Sequence, residues 1–318
     1  MKSRIAGTGS YLPTATLTNA DLEKRMDTTD AWIRERTGIH TRHIAAPGET
    51  TVDMSEHAAR AALAAAGVDP AAVDLIIFGT CTPDLIFPNC GVLLQKRLGC
   101  SGGPAFSIEA ACASFMHALS IADKFIRSGE SRCALVIGAD TLSRITDHND
   151  RGTVILFGDG AGAVVLVPAE AAGNYSTVLH ADGRYVEMLR GTGGVSAGHD
   201  PNGDHITMAG AEVFKMAVTL LGRVAEETLA ANHLAAADIS WMVPHQANIR
   251  ILQATAKKLG LPMEKVIVTV QDHGNTSSAS VPLALDAGVR DGRIKRGDLL
   301  LLEAFGGGFT WGSALVRY

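Results

Sequence analysis

Four short blocks carry side chains able to do chemistry. Ala110-Ala-Cys-Ala-Ser114 sets Cys112 among small residues just ahead of an apolar stretch, 115–126, with helical spacing. A helix N-terminus favours thiolate over thiol, and small neighbours leave the sulfur open to attack a carbonyl. Val243-Pro-His-Gln-Ala-Asn248 puts His245 at a strand exit, ahead of a helix start at Asn248. His273-Gly-Asn-Thr-Ser-Ser278 reads as another strand exit, where a glycine turn can aim Asn275 or His273 inward. Asparagine would supply N–H donors that do not titrate. Glu303-Ala-Phe-Gly-Gly-Gly-Phe-Thr-Trp-Gly312 lets a backbone N–H approach a developing oxyanion. Each block alone also fits a structural role: a buried cysteine in an alanine-rich helix start, a histidine serving the fold, a turn capped by Thr276 or Ser277, a flexible glycine turn.

These blocks need a scaffold of alternating strands and helices. Buried-strand patterns occur at 74–78, 134–137, 163–167, 266–270 and 299–302. Residues 54–66 form an alanine-rich helix that stops at Gly67. Val213, Phe214, Met216, Ala217, Leu220, Leu221, Val224 and Leu229 follow helical spacing. The pattern predicts an α/β fold with sheets covered on both faces. Gln95-Lys-Arg-Leu-Gly99 resembles Ala256-Lys-Lys-Leu-Gly260, and Arg127-Ser-Gly-Glu130 resembles Arg290-Asp-Gly-Arg293. The two pairs share an order and nearly an offset, which suggests two similar halves, 1–170 and 171–318. The glycine-rich segment 190–203 reads as a long exposed loop. Gly7-Thr-Gly9 and Phe157-Gly-Asp-Gly-Ala-Gly162 lack a complete dinucleotide motif in its strand-turn-helix context and read as structural turns.

Composition narrows the function. The 318 residues are 47% hydrophobic and 19% charged, which excludes a disordered chain. Aromatics at 5% and a net charge of −5 point away from nucleic acid. No apolar run approaches the length of a membrane span, and no secretory h-region follows Lys2 and Arg4. The five cysteines include no C-x-x-C pair, so the expectation is a cytoplasmic chain with reduced thiols and no metal.

Taken in order and with their flanks, the blocks resemble one family along essentially the whole chain, the β-ketoacyl-acyl-carrier-protein synthases III. The match runs from Gly7-Thr-Gly-Ser-Tyr-Leu-Pro13 and Asp30-Ala-Trp-Ile-Arg-Glu-Arg-Thr-Gly38 through Asp150-Arg-Gly152 to Trp311-Gly-Ser-Ala-Leu-Val-Arg317. The resemblance implies the thiolase fold, two similar halves in five αβαβα layers. It implies a Cys112, His245, Asn275 triad, with His273 only a neighbour. Cys112 would take the acyl group of an acyl-CoA primer, most simply acetyl-CoA. His245 and Asn275 would hold the enolate formed as malonyl-acyl-carrier protein loses CO₂, and the backbone N–H groups of Cys112 and Gly307 would hold the second oxyanion. No cofactor is implied, since CoA thioester is a substrate.

By the same resemblance Trp32, Arg36, Thr37 and Arg151 lie at the nucleotide end of CoA and Asn248 lies on the pantetheine tunnel. Phe87 caps the acyl pocket across a homodimer interface. Arg250, Lys257 and Lys258 share a helix face, with Lys215 opening another helix near the tunnel mouth; these cations would meet the acidic carrier protein. Two departures stand out: Met208-Ala-Gly-Ala211 ends in alanine where the family often has asparagine, and 190–204 does not follow the family. The nearest alternatives are a ketosynthase of secondary metabolism and a starter enzyme for longer or branched acyl-CoA. A biosynthetic thiolase would want a second cysteine within 303–312, and none is there. A non-catalytic carrier-binding module would not need the triad.

Overall fold

A computed structural model describes residues 2–100, 102–170 and 173–318. The proposed boundary at 170/171 falls at the edge of that description, with residue 171 outside it. Five strands make the first sheet, in the order Lys2–Tyr11, Asp159–Ala169, Ala134–Thr141, Leu75–Gly79, Ala105–Ile108. Four make the second, in the order Trp241–Pro244, Leu299–Gly306, Thr310–Arg317, Asn174–Ala181. Directions correspond. Leu75–Gly79 runs parallel to Ala134–Thr141, which is antiparallel to Asp159–Ala169, which is antiparallel to Lys2–Tyr11. Trp241–Pro244, Leu299–Gly306, Thr310–Arg317 and Asn174–Ala181 repeat that series.

Side-chain alternation sorts the layers. Leu75 and Ile77 face a core shared with Phe115, Met116 and Leu119 of helix Ser114–Ser128, with Val281 and Leu285 of helix Ser280–Arg290, and with Leu300 and Leu302 of the second sheet. Ile76 and Phe78 face the other way, onto Val52, Ala59 and Leu63 of helix Thr51–Ala66. Leu299 and Leu301 face Ala225 and Leu229 of helix Gly210–Ala231 and Leu252 of helix Ile249–Lys258. Two helices thus lie between two sheets, with helices outside both, which is the five-layered thiolase arrangement.

Three expectations change. The run 266–270 is not a strand: Val266 makes one isolated parallel bridge to Met242, and Val270 starts the short helix Val270–His273. That helix, not a strand, precedes Asn275. The bridge stands where Ala105–Ile108 stands in the first half, so the fifth strand is reduced to one residue. Gly7 and Gly9 are not a turn but part of strand Lys2–Tyr11, and Gly160 and Gly162 lie in Asp159–Ala169. Helix Thr51–Ala66 crosses so closely that a Cβ on Gly9 would meet Ala58 O and Ala62 N at 2.3 Å. Most of segment 190–204 is an exposed loop, as read; it joins strand Leu189–Gly191 to its antiparallel partner Ile206–Met208. The Gly67 stop is as read, with a left-handed φ of 66°.

The Gly9 contact is backbone on backbone, so neither partner can rotate away. Gly9→Ala should destabilise the protein by about 1–3 kcal/mol, as overpacking does. Urea unfolding measures it; a parent-like midpoint would mean that the helix shifts freely.

Candidate active site

Cys112 sits on the single turn Ala111–Ala113, which runs into helix Ser114–Ser128. The turn is pinned. Ala110 N–H donates to Ser114 Oγ (2.8 Å), Ser114 Oγ–H donates to Ala111 O (2.7 Å), and Thr310 Oγ1–H donates to Ala110 O (2.7 Å). Helix-start N–H groups have no intrahelical acceptor, so that of Cys112 suits an oxyanion. A Cβ on Gly306 would come within 2.6 Å of Cys112 N, so glycine there lets the 306–308 turn lie against the cysteine.

His245 follows strand Trp241–Pro244 and donates its backbone N–H to Glu303 O (2.8 Å). Its neighbour Gln246 is a buried staple that the sequence reading missed. Its side chain donates to Pro244 O and Ile267 O and accepts from Thr269 N–H and Val270 N–H. Asn275 is set by its backbone: its N–H donates to Leu156 O (2.9 Å) and its carbonyl accepts from Gly158 N–H (2.9 Å). Asn275 Oδ1 accepts from Ser277 N–H (3.0 Å), which leaves the Nδ2 donors as the free end of the amide.

These elements converge on a cavity of about 440 Å³. Cys112 and Glu109 come from the first half; His245, Asn275, Ser277, Phe305 and Gly307 come from the second. Apolar walls include Leu142, Ile145, Leu156 and Phe157. The hairpin base adds Leu189, Arg190, Gly191, Ile206 and Met208, so the divergent segment reaches the wall through its first two residues. Ser277 is a second missed residue: its hydroxyl donates to Cys112 Sγ at 3.3 Å. Asp140 is a third. It accepts from Thr80 Oγ1, Cys81 N–H, Cys81 Sγ and Thr82 Oγ1 on one side and from Ser278 N–H and Oγ on the other. It therefore ties both halves beneath the site.

Burial sets the protonation states. It pushes the Cys112 thiol up to about 12, outweighing the Ser277 hydrogen bond, with the Asp140 carboxylate adding to the rise. The expected thiolate is therefore a thiol at rest. Burial also holds His245 down to about 4, so its imidazole is neutral at neutral pH, and its Nδ1 has no protein partner. Glu303 is pushed up to about 8, and neither of its carboxyl oxygens has a partner among the described residues. A neutral imidazole can accept a thiol proton or donate N–H to an oxyanion without bringing a charge.

At the far end, the Arg36 and Arg151 guanidinium groups each lie 4.7 Å from the Trp32 ring centroid. Asn248 joins this cluster to the cavity: it lines the cavity, donates from Nδ2 to Arg36 O (2.9 Å) and caps helix Ile249–Lys258. Thr37 corrects the sequence reading. It is buried, and its hydroxyl donates to Ile33 O (2.7 Å) and accepts from Ile39 N–H (3.0 Å), so no donor is left for a ligand. Lys215 does not open its helix either; Gly210 does, and Lys215 lies in the second turn, exposed. Arg250 stands 5.5 Å from the ring centroid of Phe214, a cavity residue. Lys257 is exposed near the helix end, and Lys258 Nζ donates to Thr219 O (3.3 Å). Phe87 is 83% exposed beside exposed Leu85 and Ile86, outside the chain's own cavity.

Among the described residues no helix is long and apolar enough to cross a membrane, and no group of three or more His, Cys, Asp or Glu side chains is arranged to hold a metal. Residues 106–183 match the family model of 3-oxoacyl-[acyl-carrier-protein (ACP)] synthase III, and 229–318 match the model of its C terminal part. A beta-ketoacyl-[acyl-carrier-protein] synthase III of Alkalilimnicola ehrlichii is 60% identical over 320 residues, covering 99% of each chain. The crystal structure of the 3-oxoacyl-[acyl-carrier-protein] synthase III of Aquifex aeolicus VF5 matches with a TM-score of 0.94 at 47% identity, over 99% of this chain and 100% of that one. The priming beta-ketosynthase of the R1128 polyketide pathway matches with a TM-score of 0.94 at 40% identity, over 99% of this chain and 96% of that one. With both models matched in order and full-length identity at this level, the chain belongs to the beta-ketoacyl-[acyl-carrier-protein] synthase III family.

Proposed function

We propose that the chain condenses a short acyl-CoA primer, most simply acetyl-CoA, with malonyl-acyl-carrier protein, the step that initiates fatty-acid synthesis. The observation that carries this reading is one cavity lined by Cys112 from one half and by His245 and Asn275 from the other. Cys112 Sγ attacks the primer thioester; a C–S bond to cysteine forms, the bond to CoA breaks, and CoA leaves as its thiol. The cysteine begins as a thiol, so its proton moves to the neutral His245 imidazole as the sulfur attacks. Malonyl-carrier protein then loses CO₂, and its thioester oxygen becomes an enolate held by N–H donors of His245 and Asn275. The enolate carbon attacks the acyl-cysteine, the C–S bond breaks, 3-oxoacyl-carrier protein is released, and the departing Cys112 thiolate takes up a proton from solvent to restore the thiol. Backbone N–H groups of Cys112 and Gly307 hold the oxyanion of the cysteine thioester steps.

Trp32, Arg36 and Arg151 fit the adenine and phosphate end of CoA, since indole and guanidinium stack on purines and guanidinium pairs with phosphate. Asn248 borders the pantetheine path. Ala211 offers no amide to that arm. Arg250 and Lys215, near cavity residues Phe214 and Gly210, are the cations best placed for an acidic carrier, with Lys257 and Lys258 extending the same surface. Exposed Leu85, Ile86 and Phe87 suit a homodimer interface in which Phe87 closes the partner's pocket. A reducing cytoplasm suits five free thiols. The similarity to the R1128 priming enzyme favours a second reading, priming of a polyketide-type pathway with another acyl-CoA.

Intact mass after incubation with acyl-CoA tests the first step. The protein should gain one acyl group at Cys112 and lose it when malonyl-carrier protein is added. An adduct retained by Cys112→Ala would contradict the assignment.

Arg250→Glu should raise KM for malonyl-carrier protein several-fold and leave that for acyl-CoA nearly unchanged. The difference should shrink with salt, because exposed charges are screened beyond about 10 Å at 0.1 M. Equal weakening of both substrates would point to a damaged tunnel.

Acylation rates across a C2 to C8 acyl-CoA series test the pocket. Acetyl-CoA should react fastest with the parent. Phe87→Ala should shift preference toward butyryl and longer chains, by up to about 0.8 kcal/mol per buried methylene. An octanoyl preference in the parent would move the polyketide-type reading to first place.

A further inference from the structure

Among the described residues, Arg42 is the largest fully buried side chain, and nothing in the chemistry above uses it. It lies on strand Thr41–Ile44. Its Nε and Nη2 donate to Ile155 O, and its Nη1 donates to Asn19 Oδ1 (2.6 Å). Among the described residues no carboxylate is hydrogen-bonded to it. Burial holds its pKa down to about 10, so it is still a cation at neutral pH.

The stem is placed as tightly as the head. A Cβ on Gly158 would meet Arg42 Cβ at 3.2 Å, and a Cβ on Gly274 would meet Arg42 Cγ at 3.0 Å. These glycines flank the isolated bridge between Phe157 and Asn275. The turn that Arg42 grips at Ile155 is the turn whose Leu156 O and Gly158 N–H hold both backbone groups of Asn275. Two more bonds clamp the approach to Asn275: His40 N–H to Gln271 O (2.8 Å) and Thr41 Oγ1–H to Asp272 O (2.9 Å). The network also runs the other way. Asn19 Nδ2 donates to Asp30 Oδ1 (2.8 Å) and to Ile39 O (2.8 Å). Asp30 is the first residue of helix Asp30–Thr37, which carries Trp32 and Arg36.

We propose that Arg42 is a positioning residue for Asn275, joining the helix at the nucleotide end of the site to the turn that aims the Asn275 amide. The inference rests on the reading of Asn275 as an enolate donor. Arginine suits the task because its planar fork reaches a carbonyl and an amide oxygen at once. Methionine would fill the stem's space and leave both oxygens without a donor; lysine would keep the charge but offer only a point donor. Losing the fork lets Asn275 drift, and small misplacements of a positioned group slow the chemical step more than binding.

The test is a double-mutant cycle. Arg42→Met and Arg42→Lys are made alone and with Asn275→Ala, and their folding is checked by thermal melting. Two rates are read: CO₂ release from malonyl-carrier protein and acylation of Cys112 by acyl-CoA. Arg42→Met should slow CO₂ release about tenfold, in kcat rather than KM, and slow acylation by less than about threefold. Arg42→Lys should recover part of the loss. In the Asn275→Ala background, Arg42→Met should add almost nothing. Equal losses in both half-reactions, or losses that multiply in the double variant, would overturn the inference. Should Arg42→Met not fold, Arg42→Lys supports the same cycle. A parent rate of CO₂ release in Asn275→Ala alone would overturn the site reading itself, and this inference with it.

Discussion

Two helices packed between the sheets govern this structure. Ser114–Ser128 and Ser280–Arg290 lie between the sheets, and their starts meet where Ser277 Oγ contacts Cys112 Sγ. Each is entered through one tight turn, Ala111–Ala113 or Ser277–Ala279. Each turn opens on a non-glycine residue with left-handed φ, Ala111 at 47° and Ser277 at 53°. Such a conformation costs about 1–2 kcal/mol per residue and needs surrounding bonds to hold it. Ser114 supplies them in one half and the Asn275 amide in the other. Duplication places Ser278 where the first half has Cys112. Its hydroxyl donates to Asp140 Oδ2 (2.6 Å), so it braces the fold where Cys112 faces the cavity.

Burial then decides the electrostatics. A protonated thiol and a neutral imidazole line the cavity at neutral pH, and Glu303, whose backbone oxygen accepts from His245 N–H, carries a carboxyl pushed up to about 8. An enolate formed there is a charge among fixed neutral donors. Stabilisation by preorganised dipoles is strongest in such a water-poor setting. The same burial would penalise any charge present before substrate arrives, which explains a resting thiol at a helix start that alone would favour thiolate.

Much of this was legible in the sequence. Strand and helix patterns place the layers because alternation and helical periodicity report directly on which face is buried. The paired landmarks at Gly99 and Gly260 fall at corresponding outer helices, Cys90–Leu98 and Ile249–Lys258. The blocks that carry Cys112, His245 and Asn275 are distinctive in sequence, and the fold brings the three to one cavity. Residues whose importance lies in partners distant in the chain were missed. Asp140 looks like any strand-end aspartate until six donors converge on it, and Gln246 looks like a spacer beside His245. Arg42 belongs to none of the motif blocks, and only its bonds to Ile155 and Asn19 mark it. The 266–270 run failed for another reason: a five-residue apolar segment does not distinguish a strand from a buried loop feeding a short helix. Thr37 failed because helical position decides whether a hydroxyl faces ligand or its own backbone.

The central claim is that the two halves divide the chemistry, the nucleophile from one and the enolate donors from the other. The most direct measurement is CO₂ release from malonyl-carrier protein by Cys112→Ala, with and without His245→Ala. Cys112→Ala alone should still decarboxylate at a substantial fraction of the parent rate, and adding His245→Ala should remove that activity. Loss of decarboxylation in Cys112→Ala, with no further effect of His245→Ala, would contradict the division.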